Sequence, residues 1–499
     1  MKKIIISCIL ITAFFACSKE ENFSIQEEQQ EILTKEEINA KIEKSLKTTG
    51  DFKWTDTDAY TIWSALEHGN NILTIGYGTS KKHFKKSAIS KNIKEEVLQL
   101  VYKYERKNNA AKSSKKEFYV DENINIIDIS VKSIATVKAL LKDKKVRYIE
   151  PADYHFYSKR KNFQERSSSL SSSGCGFEEK TLALTDYTTV APGAKVPWSF
   201  SAHNIPAAWN YSTGQGVTVA IIDTGLSPEQ KWMNQYFNDG YSSGRTVQKY
   251  GTFVDSWWFW SNNYDGVNDK CAHGTSMASI ATAPRNNDNL PVGVAYNANL
   301  VTYRAVENVF IDDYHEIRGI SEALTALGNR RDVKVISMSI GTLFSIGKIK
   351  DAIKYAYSKG KMIVAAGGTS TKYTRWYGVI FPANMNETVA VTGVKEGSYS
   401  NCDVCHSGSK IDFTVQMQRS NSTNNTVPVL SYYNKKENYV GGSSVATATT
   451  AGIAALVWAK HPTWTREQVL EKMRQSADFY PNKNSEFGYG NINALKAVQ

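Results

Sequence analysis

The stretch VTVAIID, residues 217–223, is almost continuously apolar and ends in an acid. Four later stretches have the same character: LVTYRAV (300–306), KVISMSI (334–340), KMIVAA (361–366) and TVAVTGV (388–394). Helical patterns separate most of them, for example at residues 316–329 and 348–359. Continuous apolar strands that alternate with helices are typical of a parallel sheet buried on both faces. We therefore predict an α/β domain over residues 195–499, with helices on both faces of its sheet and its chemistry at the carboxyl ends of the strands.

Residues 71–158 show a different pattern, in the order strand, helix, strand, strand, helix, strand. The first of these helices carries apolar residues on one face, at a spacing of four: Ile93, Val97 and Val101. Ser133 stands where it can cap the second helix. This βαββαβ order predicts a small α+β domain with a ferredoxin-like fold.

The first 17 residues, MKKIIISCILITAFFAC, resemble a bacterial export signal. Lys2 and Lys3 precede an apolar run that is shorter than the ~20 residues of a membrane-spanning helix. Ala16-Cys17 at its end resembles the lipobox of lipoprotein signals, in which the Cys is lipidated after cleavage. We expect an exported chain anchored to a bacterial outer membrane through Cys17, facing either the periplasm or the outside. Simple secretion is the alternative.

Two further segments read as connections rather than domains. Residues 18–70 are interpreted as a polar tether and N-terminal extension. Residues 159–194 begin with a basic, Ser-rich run that predicts a linker and a site of proteolytic processing.

The formal net charge of +11 does not lead us to expect a nucleic-acid partner. Residues 81–116 hold twelve Lys or Arg against three Glu, and so carry nine of the eleven excess positive charges. Because the excess is confined to one N-terminal segment, a solvated basic face explains it.

Four cysteines remain beyond the signal and its lipobox: Cys175, Cys271, Cys402 and Cys405. An exported chain meets an oxidising compartment, and four cysteines allow three pairings that the sequence does not choose among. The run CDVCH (402–406) also fits the haem-attachment pattern C-x-x-C-H. A small disulfide and an electron-transfer haem are the two alternatives for this motif, and we favour the disulfide.

Three residues form a candidate catalytic set. Asp223 ends the strand at 217–223, His273 opens HGTSMASIATA, and Ser444 lies in GGSSVATATTAG at a helix start. Each alone fits an ordinary packed or capping residue. Together they are what nucleophilic catalysis needs, because a serine attacks only when a base takes its proton and a buried acid orients that base. The chain order Asp, His, Ser is one of the known orders of this triad.

The same blocks resemble the subtilisin-like serine proteases, or subtilases. VTVAIIDTG, HGTSMA, VISMSIG, GGSSVATATTAG and FGYGNINALKAV each match a family block in family order, over about residues 195–499. The resemblance implies that Asp223 is the orienting acid, His273 the general base and Ser444 the nucleophile. It implies that Ser339, Ile340 and Gly341 pair with an extended substrate. The 71–158 segment resembles the subtilase propeptide, which assists folding and blocks the cleft until it is cut away.

The resemblance implies no required cofactor, although many relatives bind calcium. Asp265 and Asp269 lie near the predicted base, and we note that they could join a calcium site. No EF-hand spacing is present, so the sequence assigns no metal ligands.

The oxyanion block departs from the family. The family sequence is Ala-Ala-Gly-Asn, whereas residues 365–368 are Ala-Ala-Gly-Gly, so that Gly368 stands in place of the Asn whose amide stabilises the oxyanion. Loss of that donor lowers turnover by ~10²–10³-fold. With Gly368 and the Ser444 N–H as the oxyanion region, we expect a slow enzyme or a replacement donor from Thr369, Ser370 or Thr371. We also expect Gly368→Asn to raise turnover.

The leading hypothesis is therefore a serine endopeptidase that hydrolyses proteins or peptides through an acyl-enzyme. It is made as an exported precursor inhibited by its own propeptide. The alternative is a catalytically impaired relative that binds extended peptides along residues 339–341, as Gly368 suggests.

Overall fold

The computed structural model describes residues 31–107, 118–156, 175–369, 378–420 and 426–499. Leu33–Gln499 belong to one compact unit, and Met1–Ile32 form a separate one of which only residues 31 and 32 are described. The proposed signal, Cys17 and the Ser-rich residues 159–174 therefore lie outside the described residues. Among the helices within the described ranges, none combines the length and the apolar character that crossing a membrane requires.

The first sheet has four antiparallel strands in the order β2-β3-β1-β4. The strands are β1 (Ile72–Tyr77), β2 (Phe118–Asp121), β3 (Ile126–Ser130) and β4 (Val146–Pro151). Two helices accompany them, Ser90–Lys107 and Ile134–Lys142, and the Ser133 hydroxyl caps the second by accepting from Ala135 N at 3.2 Å. This is the βαββαβ arrangement expected from the sequence.

Residues 33–70 are helical rather than a polar tether. The two helices are α1 (Lys35–Thr49) and α2 (Ala59–His68), and a reciprocal capping box between Thr34 and Glu37 begins α1. Apolar residues four apart place one face of α1 in the core of the first sheet: Ile38, Ile42 and Leu46. The many charged residues on the exposed face of α1 hide this spacing in the sequence. We call the described residues from 33 to 156 the N-terminal domain.

The second sheet has seven strands, all parallel, in the order β13-β12-β11-β10-β7-β9-β8. A small antiparallel hairpin precedes it, made of β5 (Tyr187–Val190) and β6 (Ala194–Pro197). The strands are β7 (Thr218–Asp223), β8 (Val247–Gly251), β9 (Asn299–Arg304), β10 (Val333–Met338), β11 (Met362–Ala366), β12 (Val389–Lys395) and β13 (Phe413–Gln418). The five predicted strands are confirmed as β7 and β9–β12. The two edge strands escaped prediction, because an edge strand needs no continuous apolar run.

Helices cover both faces of this sheet. Val219 and Ile221 of β7 belong to the core on one face, and Ala220 and Ile222 belong to the core on the other. The first face is covered by His273–Thr282, Ser443–Lys460, Arg466–Gln475 and Ala494–Val498, and the second by Tyr314–Asn329 and Gly347–Ser358. Residues of a strand alternate between faces, so a strand buried on both sides is apolar throughout.

The order of the strands reverses between β7 and β10. From β7 the chain continues to β8 and β9 on one side of it, then crosses to β10, β11, β12 and β13 on the other. Open parallel sheets form a crevice at such a point, outside the carboxyl ends of the strands. Asp223, the last residue of β7, lies at this crevice.

The N-terminal domain packs on helices 314–329 and 347–358. Lys348 Nζ and the Tyr314 hydroxyl lie 2.5 Å and 3.0 Å from Asp128 Oδ2. Arg147 forms a second buried ion pair with Asp351, at 2.7 Å. Buried charges need such partners, because an unpaired one would lose its hydration without compensation.

The part of the predicted linker from Cys175 onward is attached to the second domain. A disulfide joins Cys175 to Cys271, and Gly176 N donates to Cys271 O at 3.0 Å. A second disulfide joins Cys402 to Cys405. The structure thus selects one of the three pairings, and it overturns the haem alternative, because both sulfur atoms of CDVCH are bonded to each other.

Candidate active site

The side chain of Asp223 is buried at the end of β7. Its Oδ1 accepts hydrogen bonds from Thr224 N at 2.8 Å and from His273 Nδ1 at 2.7 Å. A carboxylate bonded to Nδ1 fixes the imidazole tautomer and leaves Nε2 as the basic nitrogen.

His273 begins its helix after a turn that Asp269 organises. One oxygen of Asp269 accepts from Cys271 N and Ala272 N, at 2.8 Å and 2.9 Å, and the other accepts from the backbone and hydroxyl of Thr275. Ala272 needs this support, because it adopts a left-handed conformation with φ of 72°. Sequence reasoning missed Asp269 in this role, although an acid four residues before a predicted catalytic His was a visible signal.

The pKa of His273 is raised above its ordinary value of 6.5. Burial alone would lower it, but the charge and hydrogen bond of Asp223, with a further contribution from the charge of Asp269, outweigh burial. The protonated form of His273 is thus stabilised. A side chain that acts as a general base needs this stabilisation once it has accepted a proton.

Ser444 lies in the first turn of the helix Ser443–Lys460, beside the same cleft as His273. Its hydroxyl donates to Ser339 O at 3.4 Å, and the Ser339 hydroxyl donates to Ser444 O at 3.1 Å. Among the hydrogen bonds of the described residues, none joins Ser444 to His273. The cleft has a volume of about 430 Å³ and is lined by His273 and Ser444, and Asp223 reaches it only through its hydrogen bond to His273.

The predicted substrate edge follows β10. Ser339, Ile340 and Gly341 line the cleft. However, Gly341 N donates to Val309 O at 3.1 Å and Gly341 O accepts from Ile311 N at 3.0 Å. A peptide strand would pair with Gly341 N only by displacing this internal bond.

Gly368 lines the cleft, but a side chain there would collide with the His406 ring. Its φ is +129°, and a Cβ would lie 2.7 Å from Nδ1 of the buried His406 ring. The His406 Nδ1 donates to Gly378 O at 2.6 Å, which holds the ring in this place. This contact argues against the expectation that Gly368→Asn raises turnover, because a Cβ at this position would meet the His406 ring. Of the three substitutes considered for the missing amide, Thr369 lines the cleft, and Ser370 and Thr371 lie outside the described residues.

Asp265 and Asp269 do not fit a calcium site. Asp265 forms ion pairs with Arg304 and Lys270, at 2.6 Å and 2.8 Å. Both oxygens of Asp269 are occupied by the donors of the turn described above. Elsewhere in the described residues, the grouping suited to a metal ion is Asp153, His155 and Asp313, at the contact between the two domains.

Comparison with known proteins places this site in a family context. The model of the subtilase family matches residues 214–490. Subtilisin E of Bacillus subtilis is 30% identical over 307 residues, which span 61% of this chain and 71% of that protein. Subtilisin of Bacillus pumilus is also 30% identical, over 61% of this chain and 99% of that protein. The crystal structure of MycP1 from Mycobacterium smegmatis is 21% identical in sequence, with a TM-score of 0.47. The match covers 64% of this chain and 89% of the MycP1 chain.

Proposed function

The chain belongs to the subtilase family, which makes it a serine endopeptidase acting on proteins, and from this premise we propose that Asp223, His273 and Ser444 are its catalytic triad. The observation that carries the proposal is the 2.7 Å bond between Asp223 Oδ1 and His273 Nδ1 beside the cleft that Ser444 also lines. The combination of a buried carboxylate bonded to one ring nitrogen and a cleft beside the same ring is typical of a catalytic histidine.

In this mechanism, Ser444 Oγ attacks the scissile carbonyl while His273 Nε2 takes the hydroxyl proton. Asp223 stabilises the imidazolium that forms. The same proton then passes to the leaving amine, and water repeats the sequence on the acyl-enzyme. The bond from Ser444 to Ser339 O is long, at 3.4 Å, so little energy opposes rotation of the hydroxyl toward His273.

We further propose that residues 71–158 act as an inhibitory propeptide. Support comes from the polar contacts of the N-terminal domain with helices 314–329 and 347–358, including the ion pairs Asp128–Lys348 and Arg147–Asp351. The N-terminal domain is thereby held on the flank of the peptidase domain, by which we mean the described residues from 175 to 499.

Anchoring through a lipidated Cys17 completes the proposal. The polar residues that follow Cys17 would separate a lipid from the folded domains. Metabolic labelling with a clickable fatty acid tests this: the intact chain should be labelled, and Cys17→Ser should not. Label on both chains, or on neither, contradicts the anchor.

A catalytically impaired peptide binder is the second candidate, favoured by the absence of a side chain at Gly368. A fluorophosphonate probe separates the two, since it reacts only with an activated serine. We expect labelling of the processed protein that disappears in Ser444→Ala and persists in Ser398→Ala, which changes an exposed serine. No labelling of folded, processed protein would favour the binder.

A further inference from the structure

The side chain after Gly368 approaches the nucleophile's helix. Thr369 Oγ1 accepts a hydrogen bond from Ser443 N at 3.0 Å and lies 2.9 Å from Ser443 Oγ. Ser443 directly precedes the nucleophile and is the first residue of the helix Ser443–Lys460. Thr369 also lines the cleft, as Ser444 does. A hydroxyl therefore stands at the helix N-terminus, on the cleft side.

The close approach of the Thr369 side chain to Ser443 requires a glycine at position 442, directly before Ser443. A Cβ on Gly442 would lie 2.7 Å from Thr369 Oγ1, and Gly442 has a φ of +86°. The N–H groups in the first turn of a helix project beyond its N-terminus without partners inside the helix. The N–H groups of Ser443 and Ser444 thus project toward the same end of the helix, where Thr369 Oγ1 already meets the first of them.

We propose that the Thr369 hydroxyl is the side-chain donor to the oxyanion, in place of the amide that the family carries at Gly368. This inference rests on the proposed function, because it needs Ser444 to be the nucleophile. When Ser444 Oγ bonds to the carbonyl carbon, the π electrons move to the carbonyl oxygen and the hydroxyl proton moves to His273. Thr369 keeps its proton and donates a hydrogen bond to that oxygen together with Ser444 N.

The hydrogen of Thr369 is available for this role. Ser443 Oγ already accepts from Gly368 N at 3.2 Å, and its own hydrogen can point to Thr369 Oγ1. Thr369 Oγ1 then accepts from Ser443 twice, from backbone and side chain, which leaves its single hydrogen free to turn into the cleft. Two acceptor sites and one donor are the full capacity of a threonine hydroxyl.

The CDVCH segment holds Thr369 in place. Thr369 forms an antiparallel bridge with Cys405, and His406 N donates to Gly368 O at 3.0 Å. The Cys402–Cys405 disulfide closes this segment into a small loop, and the His406 ring fills the space behind Gly368. A donor fixed before the substrate arrives needs no reorganisation during the reaction, and this is what makes an oxyanion hole effective.

The test compares Thr369→Val, which removes the hydroxyl at nearly constant shape, with Thr369→Ser, which keeps it. Both are measured in the processed full-length protein with a chromogenic peptide substrate. We expect kcat of Thr369→Val to fall by ~10²-fold while KM changes little, because the bond strengthens in the transition state. The kcat of Thr369→Ser should stay within about fivefold of the wild-type value. Across the variants, affinity for a peptide boronate should fall in parallel with kcat/KM.

Thr369→Val also removes the acceptor for Ser443 N, so folding is checked by thermal melting. If the Val variant does not fold, Thr369→Ala provides the same comparison without a methyl group close to Gly442. Thr189→Val, at an exposed position on β5, is the matched control and should leave kcat unchanged. A folded variant lacking the hydroxyl with kcat within threefold of the wild type overturns the inference. A wild-type protein that neither reacts with fluorophosphonate nor cleaves substrate would instead overturn the proposed function.

Discussion

The ammonium nitrogen of Lys348 lies 2.5 Å from Asp128 Oδ2, and neither side chain is more than 1% exposed. Asp128 belongs to the N-terminal domain and Lys348 to the peptidase domain, so this pair crosses the contact between them. Asp128 also accepts from Thr74 within its own domain and from Tyr314 across the contact. Removing one member of a buried pair leaves a buried charge without compensation and costs about 3–5 kcal/mol.

Asp128→Asn should therefore release the N-terminal domain early. We expect the purified variant precursor to gain activity sooner than the wild-type precursor. The reason is that its N-terminal domain binds helices 314–329 and 347–358 less tightly. The measurement is activity and gel mobility against time. Asp51→Asn is the comparison: its half-buried carboxylate accepts hydrogen bonds from Ser345 across the interface, and its effect should be smaller. Equal activation of both variants at the wild-type rate would contradict an inhibitory role.

Processing should occur before Cys175. From that residue the chain is held by the disulfide to Cys271, and Lys180 N donates to Glu437 O at 3.0 Å. Proteolytic nicking concentrates in segments rich in small and polar residues, and this composition favours the preceding Ser-rich run. We expect the N-terminal fragment to separate from the mature domain on a non-reducing gel. A fragment that separates only after reduction would place the cut beyond Cys175.

Asp223→Asn should reduce kcat by ~10⁴-fold at neutral pH while the fold is kept. Asn preserves the shape of the buried side chain but removes the charge that stabilises protonated His273. The measurement is kcat on a peptide substrate, with circular dichroism as a check on folding. Asp255→Asn, an exposed acid between β7 and His273, should retain wild-type kcat. A loss of similar size in both variants would show that the effect is not specific to the triad.

Activity should fall on the acidic side with a midpoint above pH 6.5. The base must be neutral to accept a proton, and the raised pKa of His273 means that protonation begins at a higher pH than for a free imidazole. At pH values below that pKa, kcat/KM should decrease tenfold per unit of pH. The profile of kcat/KM between pH 5 and pH 9 provides the test, and a midpoint at or below 6.5 would be inconsistent with the Asp223–His273 pair.

Gly368→Asn should lower both stability and turnover. The new Cβ would meet His406, and an Asn at a φ of +129° is strained as well. Gly360→Asn is the matched control, because Gly360 also has a positive φ, +83°, but has no atom within 4 Å of a Cβ. Thermal melting should show a clear loss for the first and little change for the second. A Gly368→Asn protein that is stable and faster would restore the original expectation of a missing amide.

Much of the fold was determined by local sequence. Strands β7 and β9–β12 are buried on both faces, so each is a continuous apolar run that can be recognised without a partner. The three proposed catalytic residues could be selected for a related reason: Asp223, His273 and Ser444 occupy the ends of regular elements, where a strand or helix pattern begins or stops. The helices at 35–49 and 59–68 were missed, because a half-exposed helix carries its signal only in the spacing of a few apolar residues.

Other features were decided by tertiary structure alone. The sequence shows that Gly368 lacks an amide, but only the folded chain shows that His406 fills the vacated space and that Thr369 reaches Ser443. Cysteine pairing and the partners of Asp269 belong to the same class. The physical reason is common to all of them: such contacts join residues far apart in the chain, and their energies depend on distances and burial that exist only after the strands have been brought together.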